Sequence, residues 1–217
     1  MTILVNNESK AHWDHKYEQG LPSLTMPDPF FMSAYERFAA PTFPNAGAAL
    51  DIAGGLGRHA LWLAQRNWQV SVVDVSEVAL QKLRETADGL NVNLSLIRAD
   101  AADYSFEPAR FELIVLFYHL DRRLFPLIVT ALKPGGLFLC KMRAQRDCDA
   151  GPMDQTDPLL GRNELTSLLP EFVVLDQQQR PVGDHGVVEF VGRKPRLATT
   201  GDRQTPSDAQ SSSTAGS

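Results

Sequence analysis

The chain has 217 residues, of which 43% are hydrophobic, and this is enough for the core of one domain with small additions. Its formal net charge of -5 argues against a protein that binds nucleic acid chiefly through charge. The chain has no run of roughly 18 apolar residues to cross a membrane, no signal-peptide pattern, and too few cysteines for a disulfide framework, so we expect a cytoplasmic protein.

The N-terminal segment has an interrupted helical pattern. The pattern runs from about Lys10 to Phe38. Pro22, Pro27 and Pro29 break its middle, because a proline inside a helix removes a hydrogen bond and clashes with the preceding turn.

Two aromatic residues and three possible metal ligands lie together in this segment. Trp13 and Tyr17 are one helical turn apart and therefore share a face of the helix. His12, Asp14 and His15 flank them and superficially resemble a metal site. Their spacing is not that of a zinc protease and the sequence has no second ligand cluster, so we expect no metal.

A glycine turn follows the first strand pattern, Ala48 to Ala53. Residues 50–60 read LDIAGGLGRHA, which indicates a buried strand, an acid, a glycine turn and the start of a helix. Three glycines within four residues let backbone amides approach a ligand closely. Those amides precede a helix N-terminus, which attracts electron-rich atoms. The stretch therefore predicts the binding turn of a nucleotide-type cofactor.

Two interpretations of this turn remain open. Residues 55–60 fit the dinucleotide-binding pattern with Ala60 in its last place, and Asp74 follows at the end of the next apolar run. Asp51 favours a different ligand, because a carboxylate repels a pyrophosphate and suits the cationic end of an amino-acid-bearing cofactor.

The rest of the chain alternates strand and helix patterns. The first half gives a helix at Arg58–Asn67, a strand at Gln69–Asp74, a helix capped by Ser76, and strands at Val92–Ala99 and Phe111–Phe117. The second half gives a helix from Pro126 to Lys133-Pro134-Gly135-Gly136, a strand at Leu137–Met142, a helix at Arg162–Leu169, and strands at Phe172–Gln178 and Gly186–Arg193. This order predicts an α/β fold with a doubly wound, mostly parallel, seven-stranded Rossmann-like sheet and an antiparallel closing strand.

Several motifs in order resemble one enzyme family. They are Trp13-Asp14-His15-Lys16-Tyr17, Asp51 to Gly57, Val73-Asp74, Arg98-Ala99-Asp100-Ala101, the strand to Phe117, and Leu132-Lys133-Pro134-Gly135-Gly136-Leu137. From Trp13 to Lys194 the chain resembles class I S-adenosylmethionine-dependent methyltransferases, in particular the small bacterial tellurite-resistance-type and thiopurine-type group. The last motif does not occur in the dinucleotide-binding pattern, so it distinguishes the two interpretations better than the glycine turn does. Ala53 departs from the family, since it replaces the usual first glycine.

The resemblance implies three parts and a set of cofactor residues. Residues 1–45 would be a helical cap over the cofactor site and residues 46–195 the S-adenosylmethionine-binding domain. The third part, residues 196–217, is predicted from its polar composition to be a disordered tail. The implied cofactor residues are Trp13, Tyr17, Asp51, Ala53, Gly55, Gly57, Asp74, Val75, Asp100, Ala101 and Phe117.

The resemblance also implies a role for each group of residues. The backbones of Gly55 and Gly57 would pass along the methionine portion and the ribose, and Asp51 would hold the amino group. Asp74 would accept both ribose hydroxyls, although an acid before Ser76 can also cap a helix. For the others, plainer roles stay open: a loop acid for Asp100, core packing for Phe117, and attachment of the helix to the sheet for Trp13 and Tyr17.

A catalytic base is needed only where the methyl acceptor carries a proton. Transfer is a direct displacement that depends mainly on alignment in a dry pocket. His119 is the first candidate for a base because it follows the fourth strand at the crevice of the sheet, with Tyr118 and Asp121 beside it. We expect the acceptor pocket to include Phe30, Phe31, Tyr35 and the loop 143–161.

The sequence therefore predicts methylation of a small-molecule acceptor such as a thiol or a metalloid oxyanion, with S-adenosylhomocysteine as the product. Nucleic acid and membranes are not expected as partners, and a monomer or weak homodimer is expected. One alternative is a protein that binds S-adenosylmethionine as a sensor or interaction module without turnover. Another is an NAD-dependent reductase, although a Tyr-x-x-x-Lys catalytic pair is missing from the sequence.

Overall fold

The strand patterns of the chain form one seven-stranded sheet with helices on both faces. The computed structural model describes residues 7–20, 26–145, 159–161, 163–182 and 185–196. The expected tail beyond residue 196 and the predicted helix start at Arg162 lie outside the described residues.

The helices are α1 Asn7–Glu18, α2 Pro29–Ala34, a π-helical turn Tyr35–Ala39, α3 Ala40–Thr42, α4 Arg58–Ala64, α5 Glu77–Gly89, α6 Leu124–Ala131 and α7 Glu164–Leu168. The strands are β1 Ala48–Ile52, β2 Gln69–Asp74, β3 Leu94–Arg98, β4 Phe111–Phe117, β5 Leu132–Ala144, β6 Val173–Val182 and β7 His185–Arg193.

The strand order is β3-β2-β1-β4-β5-β7-β6. The first five strands are mutually parallel, and β7 is antiparallel to both β5 and β6. This confirms the predicted doubly wound, Rossmann-like sheet with an antiparallel closing strand. The direction of winding changes between β1 and β4, so a crevice opens at their carboxyl ends, where such sheets bind ligands.

Both faces of the sheet are covered by apolar packing. Leu50 and Ile114 belong to a buried cluster on one face, together with Phe125 of α6. Ala49 and Leu63 belong to a cluster on the other face. Successive residues of β1 thus enter different cores, as expected for a strand buried on both sides. The core holds the carboxyl ends of β1, β2 and β4 in fixed positions.

The predicted bounds of β2 and β4 are confirmed, and Ser76 caps α5 as predicted by accepting from the Ala79 N–H at 3.1 Å. Helix α4 ends earlier than predicted, at Ala64, and Asn67, the predicted last residue, has a left-handed φ of 64°. Strand β6 is longer than predicted, since it pairs with β7 as far as Val182.

The largest correction concerns the Pro-Gly-Gly segment. The sequence predicts that Lys133-Pro134-Gly135-Gly136 ends a helix ahead of the next strand, whereas these residues lie inside β5. Leu132 already pairs with Phe111 of β4, and the Gly135 N–H donates to the Lys194 carbonyl at 2.9 Å. Pairing with distant parts of the chain therefore extends the strand through a pattern that locally signals a turn.

Candidate active site

A cavity of about 410 Å³ lies at the carboxyl ends of β1 to β4. Most of the predicted cofactor residues line it: Trp13, Tyr17, Ala53, Asp74, Val75, Asp100, Ala101 and Phe117. His119 lines it too, with Tyr118 and Asp121 beside it. Val73, Ala99 and Arg123 also face the cavity and were not predicted. Its volume lies in the range of small-molecule sites.

Asp51, Gly55 and Gly57 do not line this cavity. A Cβ on Gly57 would lie 2.3 Å from Leu83 Cδ1 and one on Gly55 would lie 2.4 Å from the Tyr17 hydroxyl, and both residues have positive φ. The protein itself therefore requires these glycines, for packing against α5 and α1. Their predicted approach to a cofactor stays a prediction.

Ala53 occupies the place of the first glycine in the turn. It has a left-handed φ of 52°, which is uncommon for a residue with a side chain. Its N–H donates to the Val73 carbonyl at 2.8 Å, so pairing with β2 holds the strained backbone. Ala53 keeps the turn in the conformation that a glycine would adopt more easily.

Asp51 is a buried acid with an unsatisfied oxygen. Asp51 is only 2% exposed, and its Oδ2 has no hydrogen-bond partner among the described residues. Burial raises the pKa of Asp51 to about 7, while a hydrogen bond from the Ala60 N–H opposes that shift. A Cβ on Gly54 would lie 3.1 Å from Asp51 Oδ2, so the carboxylate borders the glycine turn. An unpaired buried carboxylate oxygen at this place fits a cationic ligand group.

Asp74 ends β2 and faces the cavity. Its Oδ1 accepts from the Ser76 N–H and its Oδ2 accepts from the Gly55 N–H, both at 2.8 Å. Burial raises the pKa of Asp74, and these backbone hydrogen bonds oppose that shift. Each carboxylate oxygen has a further lone pair, so Asp74 can still accept from two hydroxyl groups of a ligand.

Asp100 and Ala101 follow β3 at the far end of the cavity. Asp100 Oδ1 accepts from the Ala102 N–H at 3.0 Å, an interaction typical of a turn. Asp100 thus stabilises the loop after β3, and it also lines the cavity.

Helix α1 is anchored beside the cavity by polar contacts with α5. Asp14 Oδ1 accepts from the Ser76 hydroxyl at 2.6 Å and from the Val78 N–H at 3.2 Å. Lys82 donates to the Tyr17 carbonyl at 2.6 Å. In the part of the chain that the structure describes, no three candidate ligands are grouped around a metal position. Asp14 instead binds the start of α5.

The aromatic pair of α1 closes one side of the cavity. The Trp13 and Tyr17 ring centroids lie 6.0 Å apart, and both residues line the cavity wall. Burial raises the pKa of Tyr17 to about 12, and the charge of Asp74 adds to the shift. Tyr17 is therefore a neutral phenol at physiological pH.

His119 lies among the carboxylates of the cavity. Burial lowers its pKa, and the nearby charges of Asp121, Asp74 and Asp100 oppose that shift. A lowered pKa favours the neutral imidazole, which can accept a proton or a hydrogen bond. The role of His119 as a base stays a prediction.

A buried chain of ion pairs, which sequence reasoning missed, lies next to the cavity. Lys141 Nζ lies 3.0 Å from Asp28 Oδ1 and 2.9 Å from Glu189 Oε1. The chain continues outward to Arg58, 3.9 Å from Asp28, and to Arg180, 3.0 Å from Glu189. We call these five residues the charge network. The available signal was a charged residue, Lys141 or Glu189, inside an otherwise apolar strand.

Tyr118 joins the charge network to the cavity. Its φ is 59°, and its N–H donates to the Lys141 carbonyl at 2.7 Å. Its hydroxyl donates to Asp28 Oδ2 at 3.3 Å. Burial raises the pKa of Tyr118, and the charge of Asp28 adds to the shift, so the phenol keeps its proton at neutral pH.

Two residues expected in the acceptor pocket belong to the core. Phe31 is fully buried, with its ring centroid 4.6 Å from that of His59. Tyr35 is buried and accepts a hydrogen bond from Trp68 Nε1 at 3.1 Å. Phe30 is only partly buried and lies 6.2 Å from the Phe117 ring, which is compatible with the prediction. Most of the predicted loop, residues 146–158, lies outside the described residues.

Comparisons with known proteins give a family match over part of the chain. Residues 49–136 match the family model described as a methyltransferase domain. The ubiquinone/menaquinone biosynthesis C-methyltransferase UbiE of Brucella anthropi is 33% identical over 112 residues, which are 46% of this chain and 42% of that protein. The chain thus matches less than half the length of this curated relative.

Solved structures share the fold at low sequence identity. The [4+2]-cyclase SpnF gives a TM-score of 0.69 at 15% identity, covering 91% of this chain and 98% of that one. TehB from Haemophilus influenzae gives a TM-score of 0.65 at 16% identity, and the match covers 84% of this chain and 67% of TehB. Phosphoethanolamine N-methyltransferase 2 of Haemonchus contortus was solved with S-adenosyl-L-methionine. It gives a TM-score of 0.61 at 19% identity, and the match covers 76% of this chain and 53% of that one. At these identities the likeness shows the fold, which by itself does not determine the reaction.

Proposed function

We propose that this chain is a class I S-adenosylmethionine-dependent methyltransferase acting on a small-molecule acceptor. The observation that carries the proposal is the unpaired, buried carboxylate oxygen of Asp51 beside the glycine turn. A cationic amino group would satisfy this oxygen, whereas a pyrophosphate would be repelled by it. The methyltransferase-domain match over residues 49–136 includes this turn and supports the same choice of cofactor.

The cavity wall and the glycine turn behind it would each bind a part of this cofactor. In the turn, Asp51 would pair with the amino group, and in the wall Asp74 would accept the ribose hydroxyls. Asp100 and the Ala101 N–H would bind the adenine edge, at the end of the cavity that follows β3. The backbones of Gly55 and Gly57 would follow the methionine portion. When bound, the cofactor supplies an electrophilic methyl group.

The protein's part in the reaction is to position the two reactants and exclude water. Strands β1, β2 and β4 form a rigid sheet edge, which favours the alignment that a direct displacement requires. Trp13 and Tyr17, held by the attachment of α1 to α5, would cover the cofactor and keep the site dry. We therefore propose that residues 1–45 act as a cap over the domain of residues 46–195.

The cavity wall carries three carboxylates, those of Asp74, Asp100 and Asp121, and one cation, Arg123. The charge network beside it contains three cationic side chains and two carboxylates, and its outermost cation, Arg180, is half-exposed. These two sets of charges together do not favour an anionic acceptor over a neutral one. We propose a small-molecule acceptor, such as a thiol or a metalloid oxyanion, of the tellurite-resistance-type or thiopurine-type group. We propose a monomer or weak homodimer, and no nucleic-acid partner.

Calorimetric titration with S-adenosylmethionine, S-adenosylhomocysteine and NADH tests the proposal. We expect micromolar binding of the first two ligands and no binding of NADH. Binding of NADH alone would overturn the proposal in favour of a reductase. Release of S-adenosylhomocysteine in the presence of small thiols and metalloid oxyanions then distinguishes an enzyme from a protein that binds the cofactor without turnover.

A further inference from the structure

Two consecutive residues at the carboxyl end of β4 face opposite ends of the cavity. Tyr118 and His119 both line it. The left-handed backbone at Tyr118, with φ of 59°, turns the chain sharply between the two side chains. Their surroundings show which end each residue faces.

Tyr118 lies on the side of β5 and α4. Its hydroxyl donates to Asp28, and its ring lies 5.8 Å from Lys141 Nζ and 5.9 Å from the Arg58 guanidinium. These contacts belong to the charge network, and its central residue, Lys141, lies in β5. In the strand order, β5 follows β4 on the side opposite β1.

His119 lies on the side of β2 and β3. The loop that follows it is tied to the loop after β3, since Arg123 Nη1 lies 3.4 Å from Asp103 Oδ1. Arg123 also pairs with Asp121 at 2.6 Å, and both line the cavity. The charges that act on His119 are those of Asp121, Asp74 and Asp100, and the last two are the acids at the ends of β2 and β3 that line the same cavity. His119 therefore lies near the part of the cavity that the proposed function assigns to adenosine.

We propose that His119 binds the adenosine portion of the cofactor, whereas Tyr118 forms the wall that faces the sulfonium and the incoming acceptor. The proposal rests on the proposed function and divides the site between the two residues. Asp28 and Lys141 are then positioning residues, since they hold the Tyr118 hydroxyl and backbone without touching the cofactor. The residue to examine for acceptor choice is thus Tyr118.

The two forms of the cofactor give a test that needs no acceptor. S-adenosylmethionine carries a methyl group and a positive charge on sulfur, whereas S-adenosylhomocysteine carries neither. A residue that faces the sulfonium changes the ratio of the two affinities, because an aromatic ring attracts a nearby cation. A residue that binds adenosine changes both affinities equally, since that portion is the same in both ligands.

The experiment is calorimetry of the full chain with both ligands. We expect His119→Ala to weaken both about tenfold, the effect of one lost hydrogen bond in a buried site, with their ratio unchanged. We expect Tyr118→Ala to weaken S-adenosylmethionine roughly fivefold and to leave S-adenosylhomocysteine within about twofold. Asp28→Asn should shift the ratio in the same direction as Tyr118→Ala. His15→Ala, an exposed histidine of α1, is the matched control.

The outcomes separate this inference from the proposed function. A wild-type chain that binds neither ligand would contradict the proposed function itself. If the wild type binds both ligands, two results would overturn the assignment of His119 and Tyr118 to different ends of the cavity. One is a His119→Ala variant that changes only the ratio of the two affinities. The other is a Tyr118→Ala variant that weakens the binding of both ligands equally. Retained binding of either ligand shows that a variant is folded. The circular dichroism of a variant that binds neither ligand is compared with that of the wild type. If the fold is lost, Tyr118→Leu, which keeps an apolar side chain without the ring, and His119→Gln replace the alanine variants.

Discussion

Two buried acids lie on neighbouring strands of the sheet, and their hydrogen-bond partners differ. Asp74 has a backbone N–H on each carboxylate oxygen, whereas Asp51 leaves Oδ2 without a partner among the described residues. Desolvation of an acid is costly unless hydrogen bonds compensate for it. Asp74 is therefore largely stabilised by the protein, whereas Asp51 keeps one oxygen that, in the proposed function, pairs with the cofactor.

The first prediction concerns the ribose contact of Asp74. We expect Asp74→Ala to weaken S-adenosylmethionine binding at least tenfold, because two charge-assisted hydrogen bonds are lost. The substitution also removes the acceptor of the Gly55 N–H, so Asp74→Asn, which keeps an oxygen, should weaken binding less. Calorimetry measures both, with the exposed Asp88→Ala of α5 as control. Unchanged affinity in Asp74→Ala would remove Asp74 from the ribose site.

The second prediction is a release of protons when the cofactor binds. Burial raises the pKa of Asp51 to about 7, so its carboxyl is partly protonated in the free protein at neutral pH. A cationic amino group would lower that pKa and expel the proton. We expect binding at pH 7 to release about half a proton, and affinity to rise from pH 6 to pH 8. Calorimetry in buffers of different ionisation enthalpy measures the release.

The same pKa predicts how stability depends on pH. The folded-state pKa of Asp51 lies above the ordinary value of 3.8, so the folded state binds this proton more tightly than the unfolded state does. The Asp51 contribution to the free energy of unfolding is therefore present at low pH and is lost as the pH rises through about 7. Asp51→Asn should abolish both this pH dependence of the free energy of unfolding and the proton release on cofactor binding. A proton release that persists in the variant would assign it to another group.

At the scale of elements, α1 is attached to α5 beside the cavity. Helix α1 is held at Asp14, which binds Ser76 and Val78 at the start of α5, and at the Tyr17 carbonyl, which binds Lys82. Burial alone would raise the pKa of Asp14, but hydrogen bonds from Lys10 and Ser76 bring it below its usual value. The carboxylate is thus ionised and can act as an acceptor at the helix start.

The third prediction is that Asp14→Ala releases α1 and weakens cofactor binding severalfold. The loss arises because Trp13 and Tyr17 would no longer be held against the cavity. Calorimetry measures the binding. The difference in acrylamide quenching of tryptophan fluorescence between Asp14→Ala and the wild type, which share Trp62 and Trp68, measures the release of Trp13. Lys10→Ala is the control, since it removes only the i,i+4 partner of Asp14 and should have a smaller effect. Equal binding by Asp14→Ala and the wild type would show that α1 is not a functional cap.

How far the elements could be predicted depends on what fixes each one. Strand β4 and the Ser76 cap depend on local apolar and capping patterns, and both were predicted. The start of β5 depends on pairing with β4 and on a hydrogen bond to Lys194, which lies far along the chain. The local Pro-Gly-Gly pattern therefore wrongly predicts a turn before the strand. Phe31 and Tyr35 were misplaced for a related reason, because their helical spacing does not reveal that α4 covers them.

At the scale of the whole molecule, the charge network joins segments distant in sequence. Asp28 precedes α2, Arg58 begins α4, Lys141 lies in β5, and Glu189 and Arg180 lie in the closing pair of strands. Sequence patterns place each residue in its element but do not pair elements across the sheet. For this reason the cavity residues that follow the ends of successive parallel strands could be predicted, whereas the charge network beyond β4 could not.

The fourth prediction uses the position of Lys141 at the centre of this network. Lys141→Met would leave the buried carboxylates of Asp28 and Glu189 without their shared cation, although Arg180 still contacts Glu189. Breaking a buried ion pair from one side costs about 3–5 kcal/mol, so we expect a fall of that size in the free energy of unfolding, measured by urea denaturation. Arg180→Ala should cost less than about 1 kcal/mol, because its half-exposed side chain is solvated.

A second variant separates the role of the network in stability from its role at the site. In Asp28→Asn with Lys141→Met, both members of the central pair lose their charge, and much of the stability should return relative to Lys141→Met alone, since the buried charge of Asp28 is gone. The Tyr118 hydroxyl would still lack its ionic partners. A double variant that regains stability yet shows an altered ratio of S-adenosylmethionine to S-adenosylhomocysteine affinity would indicate that the network positions Tyr118. If stability and ratio recover together, the network serves only to hold the N-terminal segment to the sheet.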